Sequence, residues 1–126
     1  MEALLIPVGD ELHAVELSLV REVVRAPAVA PVPGSPAWLL GLANLRGQIV
    51  PVVDTVRALG NEPLGEYSHV AVVDSAHGLV AIAASRVPGQ AQLNDHLGAS
   101  ERPGAKGRYA VHGTIASLLD LPALVG

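Results

Sequence analysis

The chain has no cysteine and no phenylalanine among its 126 residues, and only one tryptophan, two tyrosines and a single lysine, Lys106. Without cysteine there is no disulfide, no thiol nucleophile and no thiolate metal site, which removes several enzyme classes at once. Half the residues are hydrophobic, so without phenylalanine the core must be built from Val, Leu, Ile and Ala, a composition that suits small β-barrels. Positive charge is also scarce. Eight Lys and Arg against twelve Asp and Glu give a formal charge of −4, with no basic cluster to release counterions from a phosphate backbone, so no nucleic-acid partner is expected. No apolar run reaches the roughly 18 residues of a membrane span. The start, Met-Glu-Ala-Leu-Leu, lacks the positive flank of a signal peptide. A cytoplasmic protein without direct membrane insertion is expected.

Ten prolines and thirteen glycines are spread along the chain instead of being pooled in one linker. They punctuate it into short elements of the all-β kind and leave no room for long helices. Strands are predicted at about residues 3–8, 12–17, 22–30, 42–46, 48–53, 68–74, 77–84, 107–111 and 114–119. Gly9-Asp10 and Ser75-Ala76 are the expected hairpin turns. Asp54 and Asp120 each end a strand and are placed to cap a short helical turn. The length is that of one domain, residues 1–126, able to bury roughly two thirds of its unfolded surface.

An internal repeat supports this reading. Gly47-Gln-Ile-Val-Pro-Val-Val-Asp54 and Gly113-Thr-Ile-Ala-Ser-Leu-Leu-Asp120 share glycine, isoleucine and aspartate at an offset of 66 residues. At that offset the segment Leu4 to Leu17 overlays Val70 to Ala83, which divides the chain into pseudo-repeats of about 1–66 and 67–126 and implies two small barrels, with strands free to cross between them or not. Between Pro88 and Gly107 there is no apolar periodicity, and the polar dipeptides Asn94-Asp95 and Arg102-Pro103-Gly104 cluster there, so this stretch reads as a mobile loop.

Few residues invite catalytic chemistry. His13, His69, His77, His96 and His112 show neither the i, i+4 spacing nor the close carboxylate pattern of a ligand set, and surface or turn roles are expected for them. Asp54 and Asp120 could in principle share general acid and base work, which leaves a small acid-pair hydrolase as a remote alternative, but capping is the simpler account. No serine lies in a Gly-x-Ser-x-Gly frame. Gly41 and Gly47 are too far apart for a dinucleotide fingerprint. No catalytic residue, cofactor or metal is therefore assigned.

The most informative stretch is Gly41 to Asp54, GLANLRGQIVPVVD, where a polar turn holding Asn44 and Arg46 interrupts an otherwise apolar sequence. Local chemistry leaves open whether Arg46 is a solvated turn residue or a presented contact. The string closely resembles the signature G-V-x-N-L-R-G-x-V-V-P-V-V-D of the CheW-like coupling proteins of bacterial chemotaxis. Upstream, Leu12 to Arg25 resembles the family's strand and V-x-E-[IV] segment, and Pro31 to Trp38 its proline-rich lead-in. Downstream, His69 to Ala83 resembles its second hairpin and Ile115 to Val125 its closing strand and terminal helical turn.

The resemblance implies an all-β fold of two SH3-like, five-stranded barrels with short helical turns. It also implies a non-enzymatic adaptor between the cytoplasmic helical tip of chemoreceptors and the regulatory domain of a histidine kinase. Carried over residue by residue, it places kinase binding at Val20, Glu22, Gly41, Asn44 and Arg46, and receptor binding at Val72, Val80 and Ile82. Val20, Val23, Trp38 and Leu40 are open to two readings, core or exposed docking groove. A solo scaffold holding other signalling proteins outside a kinase array is the alternative within the family. The chain also departs from the family pattern: Pro88 to Gly107 looks shortened, and Ala84-Ser85 stands where many relatives carry Val-Asp. A one-sided adaptor that forms a 1:1 kinase complex but assembles poorly into rings is the corresponding expectation.

Overall fold

The computed structural model describes residues 1–100 and 104–125. In chain order the elements are β1 Glu2–Val8, β2 Glu11–Glu16, a 3₁₀ turn at Leu17–Leu19, β3 Val20–Arg25, β4 Leu39–Leu45, β5 Gln48–Val53, α1 Thr55–Ala58, β6 His69–Ser75, β7 Gly78–Ala84, β8 Gly89–Gln92, β9 Asp95–Gly98, β10 Ala105–Val111, β11 Thr114–Leu119 and α2 Leu121–Val125. The predicted strands correspond to nine of these. Two differ in extent: β3 stops at Arg25, ahead of Pro27, and β4 begins earlier, at Leu39. The first hairpin turns at Gly9-Asp10 as expected, whereas the second turns at Ala76-His77, one residue later than expected, because Ser75 still pairs with Gly78.

The stretch read as a mobile loop contains β8 and β9, which pair with β1 and β10. They lie at the two ends of their sheet, so most of their side chains face water. An edge strand held by backbone pairing carries no apolar alternation to detect. Arg102 and Pro103 of that stretch lie outside the described residues.

Among the described residues there are two sheets, of order β8-β1-β2-β11-β10-β9 and β3-β6-β7-β5-β4. The first has six strands where five were expected. In each, one continuous segment touches both ends of the sheet and closes it. Residues 20–30 pair through β3 with β6 and, through reciprocal Ala30 and Leu42 backbone bonds of 2.9 Å, with β4. The β8–β9 segment likewise joins β1 to β10. Neither barrel is built from one half of the sequence. The hairpin β1–β2 joins β8 to β11, and β3 to β5 join β6 and β7, with parallel seams at β2–β11 and β5–β7. The halves have exchanged hairpins.

The repeat is real, but its register differs from the 66-residue offset in one place. Val8 opposite Glu11 corresponds to Ser75 opposite Gly78, so Leu4 matches Ala71, one residue beyond Val70. A one-residue slip exchanges the two faces of a strand. The corrected register puts Leu4 and Ala71 in one core. The closing hairpins β4–β5 and β10–β11 keep the expected offset.

Three aliphatic clusters fill the molecule. One lies inside each barrel, around Leu5, Ala14 and Leu118 in the first and Val50, Val52 and Val70 in the second. The third occupies the junction between them, where Leu4, Ile6 and Val15 meet Val73, Ile82 and, from the two helices, Val56 and Leu121. Strands β1, β6 and β7 thus have core on both faces, which is why they read as continuous apolar runs without alternation.

Candidate partner-binding surfaces

Leu45 pairs with Gln48, so β4 and β5 are joined by a two-residue turn, Arg46-Gly47, with φ of 54° and 84°. Positive φ at both positions is the type I′ geometry that matches the twist of a hairpin. Gly47 meets this requirement without cost, and its backbone N–H donates to Asn44 Oδ1 at 2.9 Å. Arg46 meets it at a cost of roughly 1–2 kcal/mol, the penalty for a side chain in the left-handed region. Its guanidinium Nη2 pairs with Glu22 Oε1 at 2.9 Å, linking the two end strands of the five-stranded sheet, while the Arg46 side chain stays 79% exposed. An ion pair so exposed contributes under about 1 kcal/mol. Arg46 is thus held outward in a conformation that stability does not favour.

Gly41 is buried and has a different role from that implied for it. A Cβ there would lie 2.4 Å from the Ala30 carbonyl oxygen and 2.5 Å from Val29 Cγ1, at φ 149°. Gly41 lets the 29–30 segment close the barrel and presents no surface to a partner. Val20 is half-buried against the junction core, at a bulge in β3. Val23 and Trp38 also pack on that core, and Leu40 on the core of the five-stranded barrel, so all four ambiguous apolar residues are partly core.

Beside the Arg46 hairpin, a cleft runs between the β5 and β7 strands, lined by Trp38, Ile49, Pro51, His77 and Leu79, with Ile49 60% exposed. The repeat-equivalent cleft on the other barrel is polar, with Asp10, Glu11, Arg108 and Ser117 around Ile115. Val72, Val80 and Ile82, implied as receptor contacts, are core residues. Ile82 and Val80 belong to the junction cluster and Val72 to the interior of its barrel, none more than 5% exposed. They lie on β6 and β7, which are covered on both faces. An accessible apolar slot lies instead between the barrels, walled by Leu19, Leu119, Leu121 and Pro122 with Asp74 and Lys106 at its rim. Those two charges are paired, Asp74 with Arg21 at 2.7 Å and Lys106 with Glu16 at 3.5 Å.

The CheW-like domain family matches residues 2–126. The chain belongs to the CheW-like family of chemotaxis adaptors. It is 31% identical over 129 residues to the chemotaxis protein CheW of Rhizobium meliloti (strain 1021), covering 93% of this chain and 82% of that protein. It is 31% identical over 88 residues to the chemotaxis protein CheW of Treponema pallidum (strain Nichols), covering 63% of this chain and 52% of that one. The crystal structure of the scaffolding protein TtCheW from Thermoanaerobacter tengcongensis superposes with a TM-score of 0.79 at 18% identity, over 95% of this chain and 88% of that one. The all-β, two-barrel fold expected from the resemblance is therefore that of the family.

In this CheW-like chain the two aspartates are caps. Asp54, 2% exposed, accepts the Arg57 backbone N–H at 3.0 Å through one oxygen and that of Leu64 at 2.8 Å through the other. Asp120 accepts from the Ala123 N–H at 3.4 Å. His13 departs from the surface or turn role expected for it. It is fully buried, with Nδ1 2.8 Å from Thr55 Oγ1 and Nε2 3.1 Å from Glu11 Oε1. The Glu-His-Thr order resembles a nucleophilic relay, yet Thr55 is 0% exposed and no substrate reaches it. Burial pushes the Tyr67 phenol above its usual range.

Sequence reasoning missed the His13 network and the inter-barrel slot. His13 lies in strand alternation with Val15, which marks a shared face. No signal in the sequence joins it to Thr55.

Proposed function

We propose that the chain is a non-enzymatic cytoplasmic adaptor that couples the regulatory domain of a histidine kinase to the cytoplasmic helical tip of a chemoreceptor. The observation that carries this is Arg46: an exposed guanidinium on a strained I′ turn, steadied by Glu22 and set beside the Trp38–Ile49 cleft. An arginine's planar donor fork suits carboxylates and carbonyls on a partner, and an apolar cleft next to it supplies the desolvated pocket in which hot spots occur. The kinase face is then Glu22, Asn44 and Arg46 with the cleft. Val20 contributes through its exposed edge, and Gly41 contributes indirectly by shaping β4.

The receptor face is the inter-barrel slot, which replaces Val72, Val80 and Ile82. A helical hairpin docks by laying apolar side chains into such a groove. Titration calorimetry of the chain and its Arg46→Ala variant with the kinase regulatory domain tests the first face. Affinity should fall by about 2 kcal/mol, and unchanged affinity would sink the assignment. Ala76→Arg at the exposed rim of the slot should weaken capture of a receptor-tip peptide without altering kinase affinity. Sizing of the kinase complex separates a 1:1 adaptor from a ring former.

A further inference from the structure

The junction between the barrels has two ends that the repeat makes equivalent in backbone and unlike in chemistry. The chain crosses between barrels twice, through residues 17–19 at one end and 85–88 at the other. Connectivity is therefore the same at both ends, which differ in linker conformation, with a 3₁₀ turn at Leu17–Leu19 and none at 85–88, and in their side chains. At the 85–88 end, His13 on β2 and Thr55 at the start of α1 are joined by a buried 2.8 Å hydrogen bond across the barrels. Glu11 links His13 to the Asn61 side chain, and the Gly9 N–H donates to Ser85 Oγ at 2.7 Å. At the 17–19 end, the residues corresponding to His13 and Thr55 are Val80 and Leu121. Among the described residues no side-chain hydrogen bond crosses the barrels there. The space is the open slot under Leu19 and Leu119.

Hydrogen bonds resist displacement because they weaken steeply with distance and angle, and a buried donor or acceptor left unmatched is expensive. Apolar contacts have no preferred direction. A surface cleft opens at both ends, between Val8, Val56 and Leu64 at one and between Leu19, Leu119 and Leu121 at the other, but among the described residues buried side-chain hydrogen bonds bridge the barrels only at the first. We infer that the barrels form a one-ended hinge: the His13–Thr55 pair is the pin, and the junction opens and closes at the slot. The inference concerns the free chain and holds whatever partner enters the slot.

Because the 126-residue chain has no cysteine, spin labels can be placed in it at chosen sites. His77→Cys with Ala123→Cys spans the slot, and the repeat-equivalent pair Asp10→Cys with Arg57→Cys spans the pinned end; all four positions are exposed. Pulsed dipolar spectroscopy should give a broader distance distribution for the slot pair than for the pin pair. Thr55→Val should widen the pin pair until it matches the slot pair, and Thr55→Ser, which keeps a hydroxyl, should restore the narrow distribution. A pin pair as broad as the slot pair in the otherwise native chain would overturn the hinge, and that comparison requires no change at Thr55. So would a pin pair that stays narrow in a folded Thr55→Val protein.

Discussion

The turns Arg46-Gly47 and His112-Gly113 have the same backbone and unlike surroundings. Their φ values are 54° and 84° in one and 49° and 78° in the other, so hairpin geometry alone does not select arginine. The difference lies around them. Glu22, the partner of Arg46, corresponds to Gly89 in the other barrel, which offers no carboxylate. Trp38 and Gly104 are also counterparts, since their carbonyls accept the backbone N–H of Asp54 and Asp120 at the same 2.8 Å. Trp38 lines the apolar cleft, whereas a Cβ on Gly104 would lie 2.5 Å from Leu124 Cδ1, so that space is given to core packing. One barrel leaves its hairpin beside an open apolar cleft, and the other gives the equivalent volume to core packing.

The largest expected effect breaks this comparison at β4 and β10. Gly41→Ala drives a Cβ into the Ala30 carbonyl, whereas the counterpart Gly107 has only ordinary contacts of 3.4 Å with His96 and Tyr109. Urea unfolding should show a loss of about 3 kcal/mol or more for Gly41→Ala and less than about 1 kcal/mol for Gly107→Ala. Ile82→Ala comes next, at about 2–5 kcal/mol for a cavity in the junction core. Its receptor binding should be normal when measured on the folded fraction, which distinguishes a core residue from a contact.

Arg46→Gly sharpens the comparison at the turns. It should raise stability by about 1 kcal/mol through relief of left-handed strain, yet weaken kinase binding as much as is expected of Arg46→Ala. His112→Ala should leave kinase affinity within about 0.5 kcal/mol. A paired effect tests the turns themselves: Gly47→Ala and Gly113→Ala should each cost about 1 kcal/mol. No heavy atom lies within 4 Å of either added Cβ, so backbone strain is the whole cost. Unequal losses would show that the two turns are not equivalent.

The features legible in the sequence were those that local chemistry writes strongly. Glycine at 47 and 113 and aspartate at 54 and 120, recurring at one spacing, marked equivalent turns and helix caps; the glycines have φ of 84° and 78° and both aspartates cap. Relations between distant segments were less legible. The continuous apolar runs of β6 and β7 gave no hint of which face met which core, so nothing in them opposed the receptor contacts that the resemblance implied at Val72, Val80 and Ile82. The one-residue slip between hairpins arose because aliphatic runs match nearly as well at either register. Strands β8 and β9 exist through their partners' backbones, and His13 reads as polar and exposed until Thr55 is brought against it from 42 positions away.

The exchange of hairpins between the halves dictates the order in which the molecule can be made. Hairpin β1–β2 leaves the ribosome ahead of the other strands, but its parallel neighbour β11 comprises residues 114–119. The five-stranded barrel, complete at Ala84, can assemble while β1–β2 waits with aliphatic faces unmatched. Pairings of such long sequence separation form slowly and leave transient apolar surface open to aggregation. Neither half should fold when expressed alone, and the two halves supplied as separate polypeptides should fold only together.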